Sequence, residues 1–190
     1  YIIIGGELFM RLFAGVRLPG EIIPAVRKAA APLDGALGAR VLPEESYHIT
    51  LKFIGETPEA AVEEIKQALS KIKFAPFSVS LAGAGAFPSK GIPRAIWIGG
   101  ESQGAGDLAL KIESELSFLA LPKEHFKVHL TVARSKGVAD IEDFLKIGEV
   151  GSFEARSFAL MKSYLTPAGA IYEVLKEFPA EGMDRMGEHG

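Results

Sequence analysis

One short phrase occurs twice in this chain, and it constrains the fold more than any other feature. The copies read Tyr-His-Ile-Thr-Leu-Lys and Val-His-Leu-Thr-Val-Ala-Arg. Because side chains alternate between the two faces of a β-strand, each copy predicts a strand with its histidine and threonine on one face. His48 and Thr50 then share a polar face, and His129 and Thr131 share another. A fold of this chain has to present both polar faces while it buries the apolar residues behind them.

Helix-like and strand-like periodicities are interspersed along the rest of the 190 residues. Apolar stripes near a period of 3.6 predict helices from Glu21 to about Leu33, from Pro58 to about Ile72, and over Ser102–Leu119 and Ala139–Ile147. Period-two alternation and turn signals predict strands at Arg11–Arg17, Tyr47–Ile54, Phe77–Leu81, Arg94–Ile98, Lys127–Arg134, Ser152–Leu160, Lys162–Leu165 and Ile171–Phe178. The mixture predicts an α+β fold with mostly antiparallel sheet. With one motif in each half, the order of elements resembles an internal duplication.

The length and the apolar content, 48% of the residues, suit one domain or two small lobes that share a core. Met10 opens the first predicted strand, so residues 1–9 are interpreted as an extension that is not native. Residues 10–178 are predicted to form the domain. Residues 179–190 lack periodicity and are predicted to be a flexible tail.

The charge and the cysteine count narrow the function classes. A net charge of −3 disfavours binding to long nucleic acid through a basic surface, so any contact with nucleic acid has to be local. The chain has no cysteine, which excludes disulfides and a cysteine nucleophile and fits a reducing compartment. The apolar stretches are far shorter than the roughly 20 residues of a membrane span. A cytoplasmic monomer that does not contact membranes is expected.

Two histidines on polar strand faces suit paired acid–base work near neutral pH. In-line displacement at phosphorus needs such a pair, because one group deprotonates the attacking oxygen while the other protonates the leaving oxygen. Thr50 and Thr131 would then hydrogen-bond the non-bridging oxygens, where charge develops. Three cations accompany the motifs: Lys52, Lys127 and Arg134 are candidates for contact with the phosphate.

Other interpretations of the same residues remain open. The two histidines could be structural residues on polar sheet faces. They could be metal ligands, although catalytic zinc usually takes three protein ligands and neither motif strand holds a carboxylate. A Ser–His–Asp triad is disfavoured because no Gly-x-Ser-x-Gly elbow is present. No metal and no cofactor are predicted.

Several stretches together carry a resemblance to a known family. Besides the two motifs, these are Met-Arg-Leu-Phe-Ala-Gly-Val, Pro-Arg-Ala-Ile-Trp-Ile-Gly and Lys-Ser-Tyr-Leu-Thr-Pro-Ala-Gly-Ala-Ile-Tyr-Glu-Val-Leu. From Met10 to Phe178 the chain resembles the two-histidine (2H) phosphoesterases, and more narrowly the RNA 2′,3′-cyclic phosphodiesterases, also called 2′-5′ RNA ligases. The resemblance implies a bilobal fold of two pseudo-symmetric lobes, with one motif from each lobe in the cleft between them.

The same resemblance implies the chemistry and the site. It implies hydrolysis of RNA 2′,3′-cyclic phosphate ends to 2′-phosphates without metal, with the two histidines exchanging roles in the ligating direction. His48 would protonate the 3′ oxygen, His129 would activate water, and Arg134 would assist Thr50 and Thr131. Trp97 and Tyr164, with Phe126, are candidates for base stacking. For Phe53, core packing is preferred to stacking.

Two other functions stay open. Within the superfamily, the substrate could be a different small cyclic phosphate or a 2′-5′ oligonucleotide, because the motif reads the phosphate and not the base. Outside it, the chain could hold RNA ends without catalysis.

Overall fold

The structure is a computed structural model that describes residues 2–4, 7–166 and 169–182. Its strands are β1 Ile2–Ile4, β2 Glu7–Arg17, β3 Ala39–Val41, β4 His48–Pro58, β5 Phe77–Phe87, β6 Ala95–Glu101, β7 His129–Ser135, β8 Glu149–Ala155, β9 Ser157–Thr166 and β10 Gly169–Pro179. Its α-helices are α1 Ile23–Ala30, α2 Val62–Leu69 and α3 Gln103–Glu115. The predicted α+β class with mostly antiparallel sheet is confirmed.

The sheet has two similar halves. Its strand order is β10-β9-β2-β4-β7-β6-β5-β8, with β1 beside β2 and β3 beside β7, and each of these pairs is antiparallel. The two motif strands, β4 and β7, are therefore the innermost strands, and each is followed outward by three more. They meet at a single residue pair, Ile49 and Leu130.

The predicted helices are present but shorter, with one exception. Short 3₁₀ turns take up one end of each of the other three, at Ala31–Leu33, Glu59–Ala61 and Ser117–Leu119. The predicted helix over 139–147 is wrong: only a 3₁₀ turn forms there, at Phe144–Lys146. Phe144 is the one fully buried side chain of that segment, so too little apolar surface is buried to offset the cost of nucleating a helix.

The structure describes parts of both ends of the predicted domain. Ile2–Ile4 pairs with the first residues of β2. Past β10, Ala180 is buried and its amide donates to the Arg156 carbonyl at 2.8 Å. Residues 183–190 of the predicted tail lie outside the described residues.

One face of the sheet is covered by the helices and carries the main core. Ile49, Leu130 and Ile112 of α3 are fully buried members of that core. The other face carries a small cluster of Phe13, Ala159 and Met161, against which Tyr172 packs. Since Ile49 and Leu130 point to the core, the residues on either side of them in each strand point to this second face, the site face.

Candidate active site

The pairing of β4 with β7 brings the two motifs together. Ile49 is opposite Leu130 in an antiparallel register. Extending that register by one residue each way sets His48 opposite Thr131 and Thr50 opposite His129, all on the site face. The two copies of the phrase are thus related by a local twofold through the Ile49–Leu130 pair, and they contribute one histidine and one threonine each to a single patch.

Each motif strand carries a bulge directly after its threonine. In β4, Thr50 pairs with Gly15 and Lys52 with Ala14, so Leu51 is the extra residue. In β7, Thr131 pairs with Trp97 and Ala133 with Ile96, so Val132 is the extra residue. A bulge shifts the alternation by one residue. The residues that return to the site face are therefore Phe53 in β4 and Arg134 in β7, each three positions after its threonine.

Both imidazoles are oriented in the same way. His48 Nδ1 lies 2.7 Å from the Ser46 carbonyl oxygen, and His129 Nδ1 lies 2.9 Å from the Lys127 carbonyl oxygen. A carbonyl only accepts, so the proton is on Nδ1 in each ring when the ring is neutral. Nε2 is then the atom of each histidine that is free to exchange a proton with a ligand.

His48 is enclosed by aromatic rings. The ring centroid of Phe13 lies 4.8 Å from that of His48, and Tyr172 makes an edge contact at 4.6 Å. Desolvation by this enclosure, together with the charges of Arg134 and His129, lowers the pKa of His48 from 6.5 to about 4, although the hydrogen bond to the Ser46 carbonyl acts in the opposite direction. The influence of the two charges also shows that Arg134 and His129 lie near His48. In the free protein His48 is therefore neutral at pH 7.

His129 has aromatic neighbours of its own. Phe87 makes an edge contact with His129 at 5.6 Å and packs on Trp97 at 5.2 Å. Trp97 rests on Gly85, where a Cβ would come within 2.3 Å of the indole, and the Lys127 ammonium lies 5.4 Å from the indole centroid. The structure thus brings Trp97 and Lys127 to the site face beside His129. The indole is already in contact with protein on several sides, and its role in binding substrate stays a prediction.

Three polar groups on this face lack a partner among the residues that the structure describes. Within the described part of the chain, the hydroxyls of Thr50 and Thr131 and the guanidinium of Arg134 make no hydrogen bond or ion pair. Arg134 is exposed and faces Arg40 across the β3–β7 pair. Unpaired donors beside two histidines are able to hold an anion of phosphate size.

Lys52 and Phe53 lie on faces opposite to those predicted from simple alternation. The bulge at Leu51 turns Lys52 toward α3, where its buried ammonium donates to Glu113 at 2.9 Å and to the Pro122 carbonyl at 2.7 Å. Phe53 is 48% exposed on the site face, 6.2 Å from Phe13 between ring centroids. Core packing of Phe53 is therefore wrong, and the Lys52 ammonium is occupied by protein groups.

Tyr164 lies on the face of the sheet opposite to the histidines. Alternation along β9 sets it on the face of Lys162, opposite to Ser163, and its hydroxyl donates to Glu173 at 2.5 Å. Tyr172, paired with Ser163 from the neighbouring strand β10, takes the place beside His48. Sequence reasoning missed Tyr172, Phe13 and Phe87 as neighbours of the histidines. The sequence holds a signal for Phe13, since Leu12, Ala14 and Val16 alternate along its strand and leave Phe13 on the opposite face.

The lowered pKa of His48 predicts a contribution to acid instability. The unfolded chain binds a proton at this histidine near pH 6.5, whereas the folded chain binds it only near pH 4. His48 therefore does not reduce the free energy of unfolding above pH 6.5, but it reduces that free energy progressively as the pH falls toward 4. Chemical denaturation across this range should show a steeper loss of unfolding free energy in the parent protein than in His48→Gln. Parallel curves would show that His48 titrates normally.

Comparison with known proteins identifies the class. Residues 16–97 match the family model described as LigT-like phosphoesterase. A crystal structure from Thermus thermophilus superimposes with a TM-score of 0.83 at 31% identity, covering 92% of this chain and 100% of that one. Escherichia coli LigT in complex with 3′-AMP has the same fold, with a TM-score of 0.77 at 21% identity over 92% of this chain and 99% of LigT. This protein is a LigT-like phosphoesterase by fold and motif.

Two curated relatives show which phosphoesterases this chain resembles in sequence. A protein from Archaeoglobus fulgidus is 39% identical over 175 residues, which span 89% of this chain and 99% of the relative. One from Methanocaldococcus jannaschii is 34% identical over 177 residues, covering 89% of this chain and 100% of the relative. Both are named RNA 2′,3′-cyclic phosphodiesterase. The chain belongs to this family of phosphodiesterases, as its motifs predicted.

Two features of the described residues concern membranes and metal ions. No helix among residues 2–4, 7–166 and 169–182 is long and apolar enough to span a membrane. The same residues contain no cluster of three or more His, Asp or Glu side chains arranged to hold a metal ion.

Proposed function

We propose that this protein hydrolyses 2′,3′-cyclic phosphate ends of RNA to 2′-phosphomonoesters, by acid–base catalysis between His48 and His129. The observation that carries the proposal is the twofold arrangement of the two motifs, which leaves a free Nε2 on each imidazole beside the other motif's threonine. The name shared by its curated relatives supports the substrate. A cytoplasmic monomer acting on RNA ends is part of the proposal.

In this mechanism the phosphate lies on the site face between the histidines. His129 Nε2 accepts a proton from water, whose oxygen attacks phosphorus. The bond from phosphorus to the 3′ oxygen breaks, and His48 Nε2 supplies the proton to that oxygen. Thr50, Thr131 and Arg134 donate to the non-bridging oxygens, where charge accumulates in the transition state.

The role of His48 as donor requires a proton that it lacks in the free protein. Its pKa of about 4 results from burial and from the positive charge of its neighbours. A phosphodiester anion bound beside it offsets that positive charge and raises the pKa. His48 therefore becomes protonated when the substrate binds. In the reverse step, in which the 3′ oxygen attacks phosphorus and re-forms the cyclic phosphate, the neutral His48 of the free protein is the acceptor.

Product analysis tests this function. An RNA oligonucleotide ending in a 2′,3′-cyclic phosphate is incubated with the protein, and the end group is identified by sensitivity to a phosphatase and by chromatography against 2′- and 3′-phosphate standards. We expect the 2′-phosphate, formed at the same rate with and without EDTA because no step of this mechanism uses a metal. A 3′-phosphate product, or loss of activity in EDTA that added metal restores, would contradict the mechanism.

A noncatalytic RNA-end binder is the competing function, and the same assay separates it from the enzyme. Tight binding of the cyclic phosphate end without any product over many hours would support the binder. The paired imidazoles favour the enzyme, because binding an anion needs cations more than it needs two imidazoles that can exchange protons.

A further inference from the structure

Two arginines lie side by side at the edge of the site face. Arg134 of β7 pairs with Arg40 of the short strand β3 in an antiparallel register. Residues directly opposite each other in such a pair point to the same face of the sheet, so Arg40 joins Arg134 on the site face. Both side chains are exposed. The mechanism above uses Arg134 but gives no role to Arg40.

The two guanidiniums repel each other when no anion is bound. Like charges directly opposite each other on antiparallel strands destabilise the pair. Within residues 2–4, 7–166 and 169–182, no carboxylate forms an ion pair with Arg134. An anion held by both guanidiniums would replace this repulsion by attraction. Phosphate oxygens suit that place, because their geometry matches the planar fork of N–H donors on an arginine.

Arg40 is held on its other side by the first residue of β10. A Cβ on Gly169 would come within 2.3 Å of Arg40 Nη2, so the guanidinium lies directly against the backbone of this glycine. Three residues further along β10, Tyr172 makes its edge contact with His48. The start of β10 therefore fixes the guanidinium of Arg40 close to the strand segment that encloses His48. Fixing a donor before the ligand arrives lowers the entropic cost of binding.

The position of the arginines relative to the histidines decides which phosphate they would meet. Thr131 lies opposite His48, and Arg134 follows Thr131 along the same face of β7. The arginines are therefore at the His48 end of the site. In the proposed mechanism His48 protonates the 3′ oxygen, and in-line displacement keeps that oxygen on the side of phosphorus away from the attacking water. The terminal ribose, and the chain attached to its 5′ oxygen, thus extend from the His48 end.

The charges at the other end of the site disfavour an RNA chain there. The hollow beside His129, between β4 and α3, is lined by three carboxylates and two lysines: Asp107, Glu113, Glu124, Lys52 and Lys127. Lys52 is buried and already paired with Glu113. The protein as a whole carries a net charge of −3. A polyanion is therefore attracted only where cations are concentrated locally, as they are at the two arginines.

We propose that Arg40 and Arg134 form a subsite for the phosphodiester that joins the terminal nucleotide of the substrate to the rest of the RNA chain. This rests on the proposed function, in which the terminal ribose lies at the His48 end. Arg134 is shared between the reacting phosphate and the next one, and Arg40 binds the next one alone. The subsite selects the end of an RNA chain over a cyclic mononucleotide with a free 5′-hydroxyl.

Two substrates that differ only in this phosphodiester test the subsite. One is adenosine 2′,3′-cyclic phosphate, and the other is the same nucleotide with a methyl phosphodiester on its 5′ oxygen. For each protein, kcat/KM for the second substrate is divided by kcat/KM for the first. We expect a ratio well above one in the parent. In Arg40→Gln the ratio should fall about 10-fold, which corresponds to about 1.4 kcal/mol, near the lower end for a hydrogen bond to a charged group.

Further variants separate binding of the phosphodiester from general effects of charge and structure. Arg40→Lys keeps the charge but loses the planar fork, so its ratio should lie between those of the parent and Arg40→Gln. Arg156→Gln is the matched control, because Arg156 is also an exposed arginine but lies between β8 and β9, paired with Glu154 at 2.6 Å. Its ratio should equal that of the parent. Added salt should lower the parent ratio more than the Arg40→Gln ratio, because the lost contact is ionic.

The outcomes separate this proposal from the function on which it rests. A parent ratio near one overturns the subsite. So does Arg40→Gln if it slows both substrates by the same factor, because Arg40 would then only support β10 and the site. A parent protein that hydrolyses neither substrate overturns the proposed function itself.

Discussion

Replacing either motif histidine by alanine is expected to lower kcat for the cyclic phosphate about 10²- to 10⁴-fold, the usual contribution of one general acid or base. His48 and His129 each present a free Nε2 to the same patch, so each loss leaves one exchanging oxygen without a proton partner. Steady-state rates with adenosine 2′,3′-cyclic phosphate measure the effect. The double variant should be little worse than either single variant, because the two groups act as a unit.

A substrate with a good leaving group separates the two roles. A nucleoside 4-nitrophenyl phosphodiester releases 4-nitrophenolate, which needs no proton. His48→Ala should therefore recover most of its activity with this ester, whereas His129→Ala should remain slow. The opposite pattern would show that His48 is the acceptor and His129 the donor. Full activity in both variants would contradict the mechanism. His189→Ala is the control for a histidine outside the motifs.

Much of this site could be read from two short stretches of sequence. The alternation of His48 with Thr50 and of His129 with Thr131 is a local property of an extended chain, and the structure keeps it. The antiparallel meeting of the two stretches is not local. It follows from the strand order of the whole sheet, which one sequence indicates only through the likeness of its halves.

The incorrect predictions concern residues whose position depends on pairing with a neighbouring strand. Lys52 and Phe53 exchange faces because Leu51 bulges, and a bulge exists only relative to the partner strand, here β2. Tyr172 reaches His48 because β10 pairs with β9 in a particular register. The sequence of the second motif did indicate a bulge. Thr131 and Arg134 are an odd number of residues apart, so both can share a face only if the strand is irregular between them.

Replacing a motif threonine by valine is expected to lower kcat about 10²- to 10³-fold, as for the removal of one donor to a developing oxyanion. Thr50 and Thr131 have hydroxyls with no partner in the described part of the chain, so valine removes a donor that the folded protein does not otherwise use. Valine has nearly the same shape and the same preference for strands, so the sheet should be kept. The KM for the cyclic substrate should change less than kcat, because the hydrogen bond strengthens as charge develops on the phosphate oxygens.

Two further variants isolate the hydroxyl at these positions. Serine restores a donor, so Thr50→Ser should regain most of the rate that Thr50→Val loses. Thr57 lies on the same strand and is buried, but its hydroxyl donates to the Gly55 carbonyl at 3.1 Å. Thr57→Val should therefore lower the midpoint of thermal unfolding without changing kcat. If Thr50→Val and Thr131→Val instead keep the parent kcat and raise only KM, the two hydroxyls hold the substrate and contribute nothing specific to the transition state.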